Sequence, residues 1–256
     1  MKKLFFLFLL APAITLAQYV VAEFVVLNEG TDSYYIKLEK VWEVYHQKSV
    51  DLGEKLGWSV WKRTPKDDDS DGAAHYVIFN QFTSKNQRDN MMKNWNMNKA
   101  TSIMKAGLKG KMSSRTIDNI VKKGDMIKKE VRQYQLQVVD ATPFVGGDLE
   151  KGDKMSYAAM TQKLDDYEQY ESEVWKPMFE REILRNNFRW WGLTKIVNRN
   201  DSAYKNPTHL VWNIPVDNGK PFMEDEDYMS RKMRSMMDDY RESSAGNELT
   251  LVYSTN

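Results

Sequence analysis

Cysteine is absent from the 256 residues. That removes disulfides, thiol nucleophiles, iron–sulfur ligation, Cys-x-x-Cys zinc sites and the lipidated cysteine of a lipoprotein. Neither sign of charge is in surplus, since 37 Lys and Arg face 36 Asp and Glu for a net charge of +1. No basic excess is available to hold a nucleic-acid backbone, so nucleic acid is not an expected partner. Histidine is scarce as well, with three in the chain: His46, His75 and His209. They show no metal-ligand spacing that would argue for a three-histidine zinc site. Past residue 17 no apolar run approaches the ~20 residues that span a bilayer.

What is present begins with Met1-Lys2-Lys3, an apolar run from Leu4 to Leu10, and small residues at Thr15 and Ala17. This is the pattern of a secretory signal peptide. Cleavage is expected between Ala17 and Gln18, giving a periplasmic or secreted protein with no membrane span. Removing residues 1–17 takes two lysines and no acids. With 41% hydrophobic residues and eight tryptophans, the remainder can build a sizeable core.

The chain repeats itself. A shift of 133 positions lays Val41-Trp42 on Val174-Trp175, and Trp58, Val60 and Lys62 on Trp191, Leu193 and Lys195. One inserted residue then brings His75 onto His209. Each copy reads as strand, helix, hairpin, helix, strand. The first strands are expected at 20–27 and 155–161. First helices follow, carrying Leu38, Val41, Trp42 and Tyr45 in one copy and Tyr167, Val174, Trp175 and Met178 in the other; Pro177 is expected to kink the second. Trp42 and Trp175 are expected to face the sheet as core. Hairpin arms are expected at 58–63 with 74–81 and at 190–197 with 208–215. Second helices are placed near 84–106 and 222–243, and last strands at 131–139 and 249–254. Residues 107–129 read as a basic helical extension. The predicted division is a leader over 1–17, a first half over 18–141, a linker over 142–153 and a second half over 154–256.

With this element order and duplication, the chain resembles the dimeric α+β barrel superfamily, in its tandem form. The resemblance implies an α+β fold in which two ferredoxin-like β-α-β-β-α-β halves are fused in one chain as a pseudo-dimeric α+β barrel. Members of that superfamily include cofactor-independent monooxygenases, haem-degrading enzymes, chlorite dismutases, lactone isomerases and proteins with no known activity. No catalytic motif of the family is matched residue by residue, and fold alone does not assign function.

Four constellations carry possible chemistry. His75 and His209, at the start of the third strands, are candidate acid–base residues, although structural histidines are the commoner case. Trp58, Lys62, Trp191 and Lys195 lie on strands where alternate residues share a face, so they are candidates for a wall and a cation facing a ligand; packing is the competing role. Asp67, Asp69 and Asp71 followed by Gly72 resemble the start of a calcium loop, but Ile78 stands where the closing glutamate belongs, and a solvated hairpin tip is favoured. The stripe Met229, Met233 and Met236 follows helical spacing and reads as core before it reads as a soft-metal site.

Two functions are left in competition. The preferred one is a non-enzymatic protein, without a predicted cofactor, that binds a small apolar or aromatic ligand or acts through protein contacts, with oligomerisation open. The alternative is a cofactor-independent monooxygenase or isomerase-like enzyme using a strand histidine. They are separated by whether a cavity brings a histidine and a second polar group to one point.

Overall fold

The computed structural model describes residues 18–218 and 227–255. The leader expected over 1–17 lies outside the described residues, as does the start of the helix expected at 222–243.

The first strand, β1 (Tyr19–Leu27), is nearly all apolar and is buried on both faces, as a central strand requires. It is followed by α1 (Asp32–Asp51), β2 (Gly57–Arg63) and β3 (Tyr76–Phe82). The helix expected at 84–106 is two helices, α2 (Lys85–Asn94) and α3 (Met97–Gly107). Trp95 between them is extended, and the Asn96 side chain accepts from the Lys99 N–H as the cap of a new helix. The extension holds α4 (Ser114–Lys123), capped in the same way by Ser113, before β4 (Lys128–Ala141).

The chain continues through β5 (Lys154–Gln162), α5 (Tyr167–Tyr170), a π-helical turn (Glu171–Trp175), α6 (Lys176–Leu184), β6 (Phe188–Arg199) and β7 (His209–Pro215). The irregularity expected at Pro177 falls just ahead of it. Pro177 itself sits in the first turn of α6, directly after the π-helical turn. The last elements are α7 (Tyr228–Ser235), α8 (Met237–Tyr240), the short β8 (Arg241–Ser243) and β9 (Asn247–Ser254).

Eight of the strands run in the order β7-β6-β4-β1-β3-β2-β9-β5, and β5 pairs back to β7. Every pairing is antiparallel. The result is an α+β fold around a closed antiparallel barrel. Closure leaves no edge strand in the ring, which removes the usual route to edge-to-edge association.

Alternation along the strands decides which side chains go inside. Trp61, Phe79, Trp212, Tyr157, Phe24 and Leu136 point into the barrel and fill it, with Phe79 edge-on to Trp212 at 4.9 Å. Trp58 and Val60 point the other way and meet α1, α3 and α4 in a second core. Trp191 and Leu193 do the same beneath Trp175 and Phe179 in a third core.

The hairpin registers correct one expectation. Lys62 lies opposite Tyr76 and Trp58 opposite Asn80, while Lys195 lies opposite His209 and Trp191 opposite Asn213. The 133-position shift thus holds without an inserted residue, and His209 takes the place of Tyr76. His75 precedes β3 and is exposed. The two histidines are not equivalents, because matching them moves one strand by a residue and turns its faces over.

Candidate functional site

Outside the barrel, between the strands and the helices of the first core, the packing opens. A cavity of about 410 Å³ is bounded by β1, β2, β3 and β4 on one side and by α1, α2 and α4 on the other. Trp42 and His46, one helical turn apart on α1, present the same face to it. The His46 ring stacks on Trp58, centroids 4.6 Å apart and 22° from parallel. After α1, Gly53 adopts φ +69°, a conformation costly for a residue with a Cβ, and turns the chain back toward the sheet. This turn carries Lys55 into the cavity wall, where only 2% of it is exposed. The Leu56 N–H then bonds to the Gln81 carbonyl and enters β2.

Lys55 Nζ lies 3.0 Å from His46 Nδ1 and donates to Asn80 Oδ1 at 2.6 Å. No carboxylate stands within ion-pair distance of it among the described residues. Burial therefore pushes the Lys55 ammonium down to about 7, with Glu23 and Glu54 only partly opposing. Burial and the neighbouring Lys55 hold the His46 imidazole well below its usual range, so it is neutral at pH 7. The site thus holds an amine able to accept a proton near neutrality and an imidazole beside it. Farther along the wall, Arg88 donates to Gln135 Oε1 at 2.6 Å, while its Nε is buried without a partner. Trp42, Met91 and Trp95 supply apolar surface.

Glu39, on the inner face of α1, is 3% exposed, and burial pushes its carboxyl up to about 7, Lys128 opposing. A carboxyl raised in the folded state favours folding while protonated and loses that advantage as pH rises from its unfolded value toward 7. Glu39→Gln is expected to remove about 3 kcal/mol of this loss, at ~1.4 kcal/mol per tenfold change in proton affinity. Urea unfolding at pH 5 and pH 7.5 checks it. Equal pH slopes for variant and parent would refute the assignment. Glu171, raised the same way by burial, keeps its own share of the slope.

At the corresponding place over β5, β6 and β7 the described side chains pack against one another. At the 133-position shift, Phe179 replaces His46 and Phe188 replaces Lys55. Phe179 stacks on Trp191 at 5.7 Å and 21° and meets Phe188 edge-on at 5.3 Å. Asn213 matches Asn80, and its Oδ1 is buried with no partner, having no lysine to serve it. Trp175 is 6% exposed and belongs to this core. Trp42 is half-buried and lines the cavity, which corrects the expectation that it is core.

The residues picked from sequence are scattered. Trp58 lies in the cavity; Trp191 is fully buried in the closed core. Lys62 is at the surface and bonds Asp32 at 3.1 Å. Lys195 bonds Glu168 at 2.6 Å. His209 is fully buried, its Nε2 at 3.2 Å from Glu168 and its Nδ1 at 2.9 Å from Thr208 Oγ1, so both ring nitrogens are engaged. His75 accepts from the Leu27 N–H through Nδ1. Of the three aspartates, Asp69 is bonded to Arg63 and to the Lys66 N–H. Among the described residues no three His, Cys, Asp or Glu side chains are grouped to hold a metal ion. Lys55 and Asn80 escaped sequence reading. The signal that could have found them is the pair of substitutions His46 to Phe179 and Lys55 to Phe188, polar in one copy and apolar in the other.

No protein-family model matches the chain, and no curated protein matches it significantly. Solved structures do. A proposed monooxygenase of Lactobacillus acidophilus NCFM superposes with a TM-score of 0.56 at 12% identity, covering 93% of this chain and 95% of the other. A proposed monooxygenase of Fusobacterium nucleatum gives 0.58 at 12% identity, covering 93% of each. An anthrone oxidase-like protein gives 0.52 at 13% identity, covering 92% and 91%. The preference for a non-enzymatic ligand binder is corrected by these findings: the neighbours are described as oxygenase-type enzymes, and the open cavity joins a histidine to a lysine and an asparagine. The enzyme alternative is the better supported of the two. At 12–13% identity the likeness establishes fold, and that fold is the one shared by dimeric α+β barrel proteins.

Proposed function

We propose that the chain is an enzyme that abstracts a proton from a small aromatic substrate in the first-half cavity and passes the resulting anion to dioxygen, in the manner of a cofactor-independent monooxygenase. The observation that carries this reading is the Lys55–His46–Asn80 chain in an open cavity, set against the Phe179–Phe188 ring contact at the matching positions of the other half. Lys55, whose proton affinity burial brings down to about 7, takes the proton. Asn80 and His46 hold the amine toward the cavity. The ammonium so formed stays beside the substrate anion and offsets its charge. For a methylene between aromatic rings, substrate and one O₂ give a carbonyl and one water, and Lys55 returns its proton in the process.

The neighbours' descriptions as monooxygenases and as an anthrone oxidase-like protein are consistent with this chemistry. An isomerase shares the first step but returns the proton to another carbon and consumes no oxygen. The test is oxygen uptake by the purified chain with an anthrone-type methylene compound. No uptake above the uncatalysed rate, across several such compounds, defeats the proposal.

The finer architecture belongs to the same reading. We infer two ferredoxin-like halves, 18–141 and 154–256, fused after duplication, with 142–153 as the connection. Equal hairpin registers support it. One copy kept a polar cavity while the other became scaffold. Export is part of the proposal too, resting on the leader pattern. Among the described residues no helix is long and apolar enough to cross a membrane.

A further inference from the structure

We propose that Lys55 is also a covalent nucleophile that captures aldehydes or ketones entering the cavity, forming an imine at its Nζ. The inference shares the cavity with the proposed oxygenation but needs none of its redox chemistry.

Four features of the site point the same way. Lys55 is 2% exposed yet lines a cavity of about 410 Å³, so its amine meets molecules that have entered the cavity and little else. Its two close partners are a ring nitrogen at 3.0 Å and an amide oxygen at 2.6 Å. Neither is a counter-ion, and a desolvated amine without one sheds its proton and exposes its lone pair. His46, touching Nζ, is placed to move protons, which imine formation requires twice. Trp42, Trp58, Trp95 and Met91 in the wall give an entering carbonyl compound apolar surface to rest on while it reacts.

The step balances without a further reagent. The Nζ lone pair forms a bond to the carbonyl carbon while the π pair moves to oxygen. A proton passes from nitrogen to that oxygen through His46. The C–O bond then breaks, the hydroxyl leaves as water with a second proton, and nitrogen completes the C=N bond. Amine and carbonyl give imine and one water.

Other lysines provide an internal comparison. Lys62, Lys154 and Lys195 are each paired with a carboxylate, Asp32, Glu248 and Glu168, at the surface. The full chain is incubated at pH 7 with benzaldehyde and sodium cyanoborohydride, which reduces any imine to a stable benzylamine, and sites are mapped by peptide mass spectrometry. Lys55 is expected to be labelled at least about tenfold faster than those three. Selectivity should vanish in urea, and Lys55→Arg should lose the adduct. The comparison is made within one wild-type molecule, so it survives even if the variant fails to fold. Labelling of Lys55 at or below the rate of Lys62, Lys154 and Lys195 overturns the proposal. Oxygen uptake without labelling sinks this inference alone; labelling without oxygen uptake sinks the oxygenase reading alone.

Discussion

Lys55→Met is expected to lower kcat/KM for oxygen-dependent turnover by about 10²–10⁴-fold, the usual contribution of a positioned proton acceptor. Methionine keeps the unbranched chain and the contact with Phe82, whose ring centroid lies 5.8 Å from Nζ, but it cannot take a proton. Stability should move the other way. Lys55 has its proton affinity depressed in the folded state, so the unfolded chain binds the extra proton and folding is disfavoured below the unfolded value near 10.5. Removing the amine relieves that cost. The variant should therefore melt no lower than the parent at pH 7 while losing nearly all activity. Oxygen electrode rates and thermal unfolding on the same samples check both halves of the expectation. Activity within about threefold of the parent would mean that another group accepts the proton, and the role assigned to Lys55 would have to be given up.

Trp175→Ala and Trp191→Ala are each expected to destabilise the fold by about 3–5 kcal/mol, whereas Trp42→Ala should cost under about 2 kcal/mol. The difference comes from what each indole touches. Trp191 is fully buried and stacked on Phe179, and Trp175 packs beside the same phenylalanine at 6.4 Å. Truncation at either leaves a void in a filled core. Trp42 already borders a void and water, so its loss enlarges a space instead of creating one. Its effect should fall on substrate binding. Urea titrations of the three variants, read with constant slope, separate these outcomes. A Trp42 loss as large as that at Trp175 would show that the cavity is not open in solution.

Much of the architecture was legible because it is written in strong, redundant signals. Trp58 and Trp191 recur at one shift, and strands such as β1 are apolar over their whole length. Closure of the barrel also follows from the element order once two sheets must cover each other. The site was harder to read, because what makes it a site is an exception to the repeat. At the 133-position shift His46 falls on Phe179, and a mismatch of that kind within a repeat is easily passed over as drift. Lys55 sits in a short turn with no pattern around it, and its character comes from burial by distant residues such as Asn80 and Phe82. His75 and His209 drew attention by residue type alone. Which face of a strand looks into the barrel was also undecided, because alternate residues on both faces of β3 are apolar.

The ring of strands has a bearing on the order in which the chain can fold. β2 stands beside β9, so Val60 is paired with Tyr253, far along the chain. β4 and β6 can join earlier, and so can the hairpin of β2 and β3, but the last gap waits for the final strand to emerge. Contacts this distant in sequence make for slow folding. Until that strand arrives, β2 and β5 offer open hydrogen-bonding edges to any passing chain. A protein built this way depends on passing through its unfinished state in dilute or guarded conditions, and its assembly as much as its final stability sets how much of it reaches working form.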